Sequence, residues 1–379
     1  MVIVFSFVAI TLAMFVIWRS SDGFEVASAY LGRNLTEGVR GATINAIGSS
    51  MPELFTTLFS LILLGEADNF AFGIGTASGS AIFNGMIIPA VVILAVFAVG
   101  ITTKVEVSKK VILRDGIGLI IAEIILIYMV SGNNLGWIHG LILMLLYVAY
   151  ILYMFGTMKP GANSIPQDNK LDFDEKKTTQ PPVYVALLNL DFEQVFVRKS
   201  INTINAWALL IFSMLIIGGA CILLIHSCEL LAGELGIAPY FIAVVLAAAA
   251  TSVPDTILSY RDAVAGKYDD AVANALGSNI FDICFALGFP LFVFTLFNGP
   301  ISMAPETLAN VAELQISLLI LTVLAFVIYY FNRGLTKIHA YLLLGLYLIF
   351  IAFILSKAYA LAWAIEVGQL LSSIFHYGV

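Results

Sequence analysis

Charge is what this sequence has least of. Lys, Arg, Asp and Glu make up 11% of its 379 residues, whereas a soluble domain carries about 25%. With 60% hydrophobic residues besides, most of the chain has to be solvated by lipid, and water-soluble fold classes are excluded. Cysteine is scarce too. Cys221, Cys228 and Cys284 fall in apolar runs at spacings that match no zinc or redox motif, so packing is the role expected of each. No nucleophile–His pair, His-Glu-x-x-His motif or glycine-rich phosphate loop with a lysine is present. Intramembrane hydrolysis and ATP-driven pumping are therefore disfavoured, and neither an enzyme nor a cofactor is expected. Short alternating segments of the kind that build a transmembrane barrel are missing as well. No nucleic-acid partner is expected, and the oligomeric state is not legible.

What the chain does have is apolar runs of about 20 residues, the length that crosses a bilayer as a helix. Ten can be counted: 1–18 (with room to continue to 31), 41–64, 70–100, 111–130, 137–157, 203–233, 239–259, 271–297, 309–331 and 338–356. The fold class is an all-α membrane protein. The first run has no basic leader and no small-residue cleavage site, so it is read as a retained helix rather than a signal peptide. Sixteen of the eighteen basic residues follow odd-numbered runs, among them Arg33, Arg40, Lys104, Lys109, Lys110, Arg114, Arg261, Lys267, Arg333 and Lys337. The connections 65–69, 131–136 and 233–239 carry none. The positive-inside rule then places both termini outside, in a plasma membrane or a bacterial or archaeal inner membrane. Residues 159–202 read as a solvated cytoplasmic linker. Its acidic cluster at 168–175 lacks the glycine that a Ca²⁺-binding loop of the EF-hand type needs, Phe173 standing in its place.

On either side of the linker the same pattern recurs. The second run contains Ala46-Ile47-Gly48-Ser49-Ser50-Met51-Pro52-Glu53, and the seventh Ala248-Ala249-Ala250-Thr251-Ser252-Val253-Pro254-Asp255. The third contains Gly79-Ser80-Ala81-Ile82-Phe83-Asn84, and the eighth Gly277-Ser278-Asn279-Ile280-Phe281-Asp282. Matching runs are five apart, an odd number, so the second copy enters the membrane from the opposite side. The expected organisation is about ten helices in two inverted five-helix repeats, 1–158 and 203–379, with a binding site where the halves meet.

The motifs point to cations. An acid within a transmembrane helix costs at least about 2.5 kcal/mol by insertion scales, so two acids in matched contexts need a compensating partner. Pro52 and Pro254 cannot donate to the carbonyls of Gly48 and Ala250, which leaves main-chain oxygens free just before each acid. Together with Ser49, Ser50, Thr251 and Ser252 the acids form an all-oxygen set, suited to Ca²⁺ or Na⁺ rather than to Zn²⁺ or copper. Asn84, Ser80, Ser278 and Asp282 supply further oxygens. Gly79 and Gly277 are expected to let the third and eighth helices approach their neighbours closely.

At these motifs the sequence resembles the cation/Ca²⁺ exchanger superfamily, over nearly its whole length. The resemblance implies ten helices, alternating access and electrogenic exchange of Na⁺ for Ca²⁺. It implies that Glu53 and Asp255 bind both ions. Ser49, Thr251, Ser80, Ser278, Asn84, Asp282 and the carbonyls of Ala46 and Ala248 would complete the sites. The runs Gly73-Ile74-Gly75-Thr76 and Gly79-Ser80-Ala81-Ile82-Phe83-Asn84 look most like the potassium-dependent sodium/calcium exchangers, where the residue type of Asp282 goes with K⁺ co-transport. Simpler microbial exchangers carry Asp there without needing K⁺, so K⁺ dependence stays open. The chain departs from many relatives at Thr76, at Ala81, and at Ala249-Ala250, where a glycine is usual. The linker has no room for large regulatory Ca²⁺-binding domains. A proton-coupled Ca²⁺ exchanger of the same fold is the nearest rival, and a cation channel the rival from another class.

Overall fold

With no water in the hydrocarbon layer, every backbone N–H and C=O there has to be paired within its own segment, and helix does this for a single chain. The structure, a computed structural model, describes residues 1–33, 46–64, 68–102, 104–132, 134–157, 182–198, 200–332 and 334–374. In order the α-helices are α1 (Val2–Leu31), α2 (Ala46–Ser49), α3 (Met51–Leu63), α4 (Asp68–Val99), α5 (Lys109–Val130) and α6 (Trp137–Thr157). Then come α7 (Val183–Leu188), α8 (Phe192–Phe196), α9 (Thr203–Leu235), α10 (Pro239–Ile242), α11 (Ala248–Thr251) and α12 (Val253–Val264). The last are α13 (Tyr268–Phe281), α14 (Gly288–Asn298), α15 (Pro305–Phe331), α16 (Lys337–Ala358) and α17 (Ala362–Ile374). Short π-helical turns at Ala243–Ala247 and Asp282–Ala286 join α10 to α11 and α13 to α14. Such turns gather at functional sites.

Among the described residues, eight helical stretches are long and apolar enough to cross a membrane. Two of the ten expected runs stand apart from these. The second is the broken pair α2 and α3, and residues 41–45 before it lie outside the description. The fourth, α5, has the length but carries Arg114, Asp115 and Glu123. Arg114 lies against the buried Asp115, Nε to Oδ1 2.5 Å, and Tyr150 donates to the same oxygen. The hydroxyl of Thr322 on α15 donates to Glu123 at 2.7 Å.

Cross-links sort the connections into two ends. At one end Val105 pairs with Leu335 in an isolated bridge, and the Ser108 amide donates to Asp269, 2.6 Å away. Asp269 thus ties down a connection. At the far end of α5, about 33 Å away by helical rise, Leu135 pairs with Ile301. The helices that follow these bridges start alike: His139 Nδ1 accepts the Gly136 amide and His339 Nδ1 the Thr336 amide, both at 3.0 Å.

One expectation needed revision. Half of the supposed linker is docked: Phe192, Val197 and Ile201 are buried with Ala27 of α1 and Leu209 of α9. Asp191 caps α8, and Arg19 of α1 donates to the Asn189 carbonyl. Apolar residues in that stretch override its polar surroundings, while the acidic cluster lies outside the described residues. At the other terminus the chain is described as far as Ile374. The α16 helix ends at Ala358, Ala360 turns with φ 51°, and α17 is a separate helix whose Gly368 abuts Glu313.

Helices in lipid gain little from apolar burial against one another and rely on close packing of small residues. Gly79 shows this most clearly: a Cβ there would run into the Val244 carbonyl and lie 2.8 Å from Ala248 Cβ. Its partner Gly277 has no such neighbour among the described residues, and the segment matching 244–248 is 42–46, mostly outside them. Gly79→Ala is expected to destabilise the protein by about 1–3 kcal/mol, the usual cost of overpacking. Gly219→Ala, with open space at its Cβ position, should leave the melting temperature of detergent-solubilised protein unchanged or raised.

Candidate cation-binding site

Both proline motifs interrupt their helices at the same place. The second run breaks at Ser50 (φ −95°, ψ 9°) between α2 and α3, and the seventh at Ser252 (φ −79°, ψ −1°) between α11 and α12. Proline then occupies the second position of the new helix, where its missing N–H costs nothing. Glu53 and Asp255 follow directly, in the first turns of α3 and α12. An acid is favourable there, because the unpaired amides of a helix start favour negative charge. Both side chains are fully buried.

Helices α4 and α13 cross these breaks and bring their own polar residues to them. Ser278 donates to Asp255 Oδ1 at 2.8 Å, and Asn84 Nδ2 donates to Oδ2 at 3.1 Å. Ser49 also hydrogen-bonds Asp255, as Thr251 does Glu53, so each break serves the acid of the other. Thr251 lies 3.2 Å from the Ala248 carbonyl as well, and Ser252 donates to that oxygen at 2.8 Å. The carbonyl expected to be a free ligand thus already faces two hydroxyls, while Ala46 opens α2. Asn279 Nδ2 donates to the Ala81 carbonyl at 2.9 Å and ties α13 to α4 beside the site.

The two acids are not equally served. Ser80 Oγ lies 3.1 Å from Glu53 Oε1, 3.3 Å from Asp282 Oδ2 and 2.8 Å from Ser252 Oγ. A hydroxyl has one hydrogen to give, so Ser80 satisfies one carboxylate oxygen at a time. Glu53 Oε2, Asp282 Oδ1, Asn84 Oδ1 and Ser50 Oγ are buried without a hydrogen-bond partner. Among the described residues no Lys, Arg or His pairs with Glu53, Asp255 or Asp282, and no group of three or more His, Cys, Asp or Glu is gathered closely enough to hold a metal ion by itself. A bound cation would therefore need hydroxyl, amide and main-chain oxygens besides carboxylates, the ligand set of Ca²⁺ and Na⁺. From outside this cluster, the Phe24 ring of α1 packs against Gly48, and Cys221 of α9 donates its S–H to the Pro52 carbonyl at 3.5 Å. Cys221, Cys228 and Cys284 are free and buried, as packing residues are.

Comparison with known proteins gives this geometry its setting. A family model described as sodium/calcium exchanger protein matches residues 5–156 and again 205–356. The chain belongs to the sodium/calcium exchanger family. Human sodium/potassium/calcium exchanger 5 is 25% identical, over 88% of this chain and 77% of its own length. Among solved structures, the sodium-calcium exchanger NCX_Mj superposes with a TM-score of 0.55 at 22% identity, covering 93% of this chain and 99% of its own. The H⁺/Ca²⁺ exchanger CAX gives 0.57 at 13% identity, covering 98% and 91%. At these identities the structures establish the shared all-helical fold. Family and fold together make the protein a cation/Ca²⁺ antiporter.

In this exchanger the sequence motifs assemble the expected side chains, but several contributors escaped them. Asn274 Nδ2 donates to the Asp255 carbonyl and to Ser259. Gln315 of α15 donates to Ser78 at 2.7 Å. Their only signal in the sequence is an amide in an apolar run, which does not distinguish a neighbour of the site from ordinary interhelical glue. The uneven hydrogen bonding yields a prediction. Asp282→Asn would supply the donor that Asn84 provides on the other side. It should raise the melting temperature of cation-free protein, relieving about 1–3 kcal/mol of unsatisfied polar burial, and shrink the further rise produced by added Ca²⁺. Thermal unfolding in detergent with chelator and with Ca²⁺ checks both.

Proposed function

We propose that the protein exchanges Na⁺ for Ca²⁺ by alternating access through one set of oxygens centred on Glu53 and Asp255. The observation that carries this reading is a pair of buried acids at matched helix breaks with no cationic side chain beside them among the described residues. Two carboxylates balance one Ca²⁺ or, with the surrounding hydroxyls and amides, several Na⁺, so the two ions compete for the same place. Ser49, Ser50, Thr251, Ser252, Ser80, Ser278, Asn84, Asp282 and the main chain at Ala46 and Ala248 complete the set.

Ten spans in two inverted repeats, 1–158 and 203–379 about the 159–202 linker, are part of the same proposal. Support comes from the double match of one family model, from the paired breaks at Ser50 and Ser252, and from matching bridges at opposite ends of α5. The basic connections face the cytoplasm in this arrangement and both termini face outside. Helices α1 and α9, which touch the site through Phe24 and Cys221, slide or rock across it to change access.

Asp282 adds a third acid and an unpartnered oxygen, which favours K⁺ moving with Ca²⁺. Human sodium/potassium/calcium exchanger 5 carries that ion in its name. Uptake of ⁴⁵Ca²⁺ into reconstituted vesicles tests all three couplings. A Na⁺ gradient should drive uptake, K⁺ should enhance it, and Asp282→Asn should remove the K⁺ effect. Uptake driven by a pH gradient and indifferent to Na⁺ would overturn the Na⁺ mechanism. Glu53→Gln should abolish exchange while the protein still inserts, a loss of at least about 100-fold if one charge-assisted ligand is worth about 3 kcal/mol.

A further inference from the structure

Beyond the central site, one cleft joins it to an end of the molecule. It lies between α1 and α12 and is narrow, with a cavity volume of about 10 Å³. Each wall is one helix face at the i, i+3, i+4, i+7 spacing: Trp18, Ser21, Asp22 and Glu25 on α1, then Pro254, Ile257, Leu258 and Arg261 on α12. Ser49, hydrogen-bonded to Asp255, also lines it, so the cleft runs from the acid of the central site toward the charged ends of both helices. That end also bears the docked segment, because Asp191 and the Asn189 carbonyl lie against Arg19.

The charges at the mouth are arranged unevenly. Asp22 takes both available cations, Arg261 on Oδ1 at 2.9 Å and Arg19 on Oδ2 at 3.0 Å. The Arg261 bond ties α12 to α1 across the opening, while Arg19 holds Asp22 from one turn away on α1 itself. Glu25, one turn further along α1, has no hydrogen bond or ion pair to its carboxyl group among the described residues, although it lines the cleft. Among the described residues the charges that act on it are Asp22 and Asp262 on one side and Arg261 on the other. The Ser21 hydroxyl lines the same cleft at 6% exposure and has no partner among the described residues. Glu25 and Ser21, neither with a side-chain partner among the described residues, thus share one cleft with Ser49, and such a set of oxygens can replace the water of a hard cation in stages.

We propose that Glu25 is the access ligand for Ca²⁺ and Na⁺ on this face, taking the partly hydrated ion first and passing it by Ser21 and Ser49 to Asp255. The inference rests on the exchanger reading above, since it needs a cation destination at Asp255. Charge placed at a narrow mouth raises local cation concentration and on-rate, so its loss acts on half-saturation more than on the rate at saturating ion.

Full-length protein in oriented vesicles provides the test, with Ca²⁺ varied separately on each face. Glu25→Gln should raise the half-saturating Ca²⁺ on the docked-segment face by about tenfold, the lower range for electrostatic steering, and change the opposite face far less. Glu25→Asp should restore much of the difference, and Ser21→Ala should produce a smaller shift on the same face. Equal shifts on both faces, or none on either, would overturn the proposal, and a shift that Glu25→Asp fails to reverse would do so too. The underlying reading fails in a different way. If the unaltered protein moves Ca²⁺ with H⁺ instead of Na⁺, that coupling is wrong, yet the one-sided shift remains measurable with the pH gradient as driving force.

Discussion

Three carboxyl groups buried where no lysine, arginine or histidine among the described residues pairs with them are the constraint on which the rest of this structure depends. Moving such a group from water costs several kcal/mol even after the protein relaxes. Glu53, Asp255 and Asp282 therefore need hydrogen-bond donors, a proton or a metal cation. The local sequence provides what donors it can. Proline ends one helix and starts another, the acid sits at the fresh N-terminus, and serines and threonines from the opposite break turn toward it. Close crossing of α4 over the π-helical turn at Ala243–Ala247, allowed by Gly79, then brings Ser80 and Asn84 within reach.

Supply and demand do not balance evenly across the site. Asp255 receives Ser278, Asn84 and Ser49, whereas Glu53 receives Thr251 and shares the single proton of Ser80 with Asp282. The shortfall traces to one substitution between the repeats, since Asn84 can donate and Asp282 at the matching position cannot without a proton. It places the greatest demand for positive charge on the Glu53–Asp282 side. An exchanger gains from such an imbalance, because a site fully satisfied by its own protein would have no need of its ion.

Much of this was legible in the sequence because membrane chains are read by composition. Scarce charge, long apolar runs and basic connections give the spans, and duplicated proline–acid motifs mark the acids without any alignment. Less accessible was whatever depended on packing. The docking of Phe192, Val197 and Ile201 rests on a pattern too short to stand out beside a proline-rich, charged stretch. The π-helical turn beginning at Asp282 leaves no periodicity to read. Nor could spacing show that the Ala248 carbonyl is already engaged by neighbouring hydroxyls, or that Glu25 and Arg261, 236 residues apart in number, line one cleft.

The central claim is that the cation sits among these acids, and locating a divalent ion directly is its most decisive measurement. Strontium can stand in for calcium in crystals of the full chain, and its anomalous scattering marks its position. The account predicts one strong site with oxygens of Glu53 and Asp255 both within about 2.6 Å, the upper range for calcium-type ligands, lost in Glu53→Gln crystals. A divalent site that involves neither residue, in protein that still exchanges Ca²⁺, would contradict it.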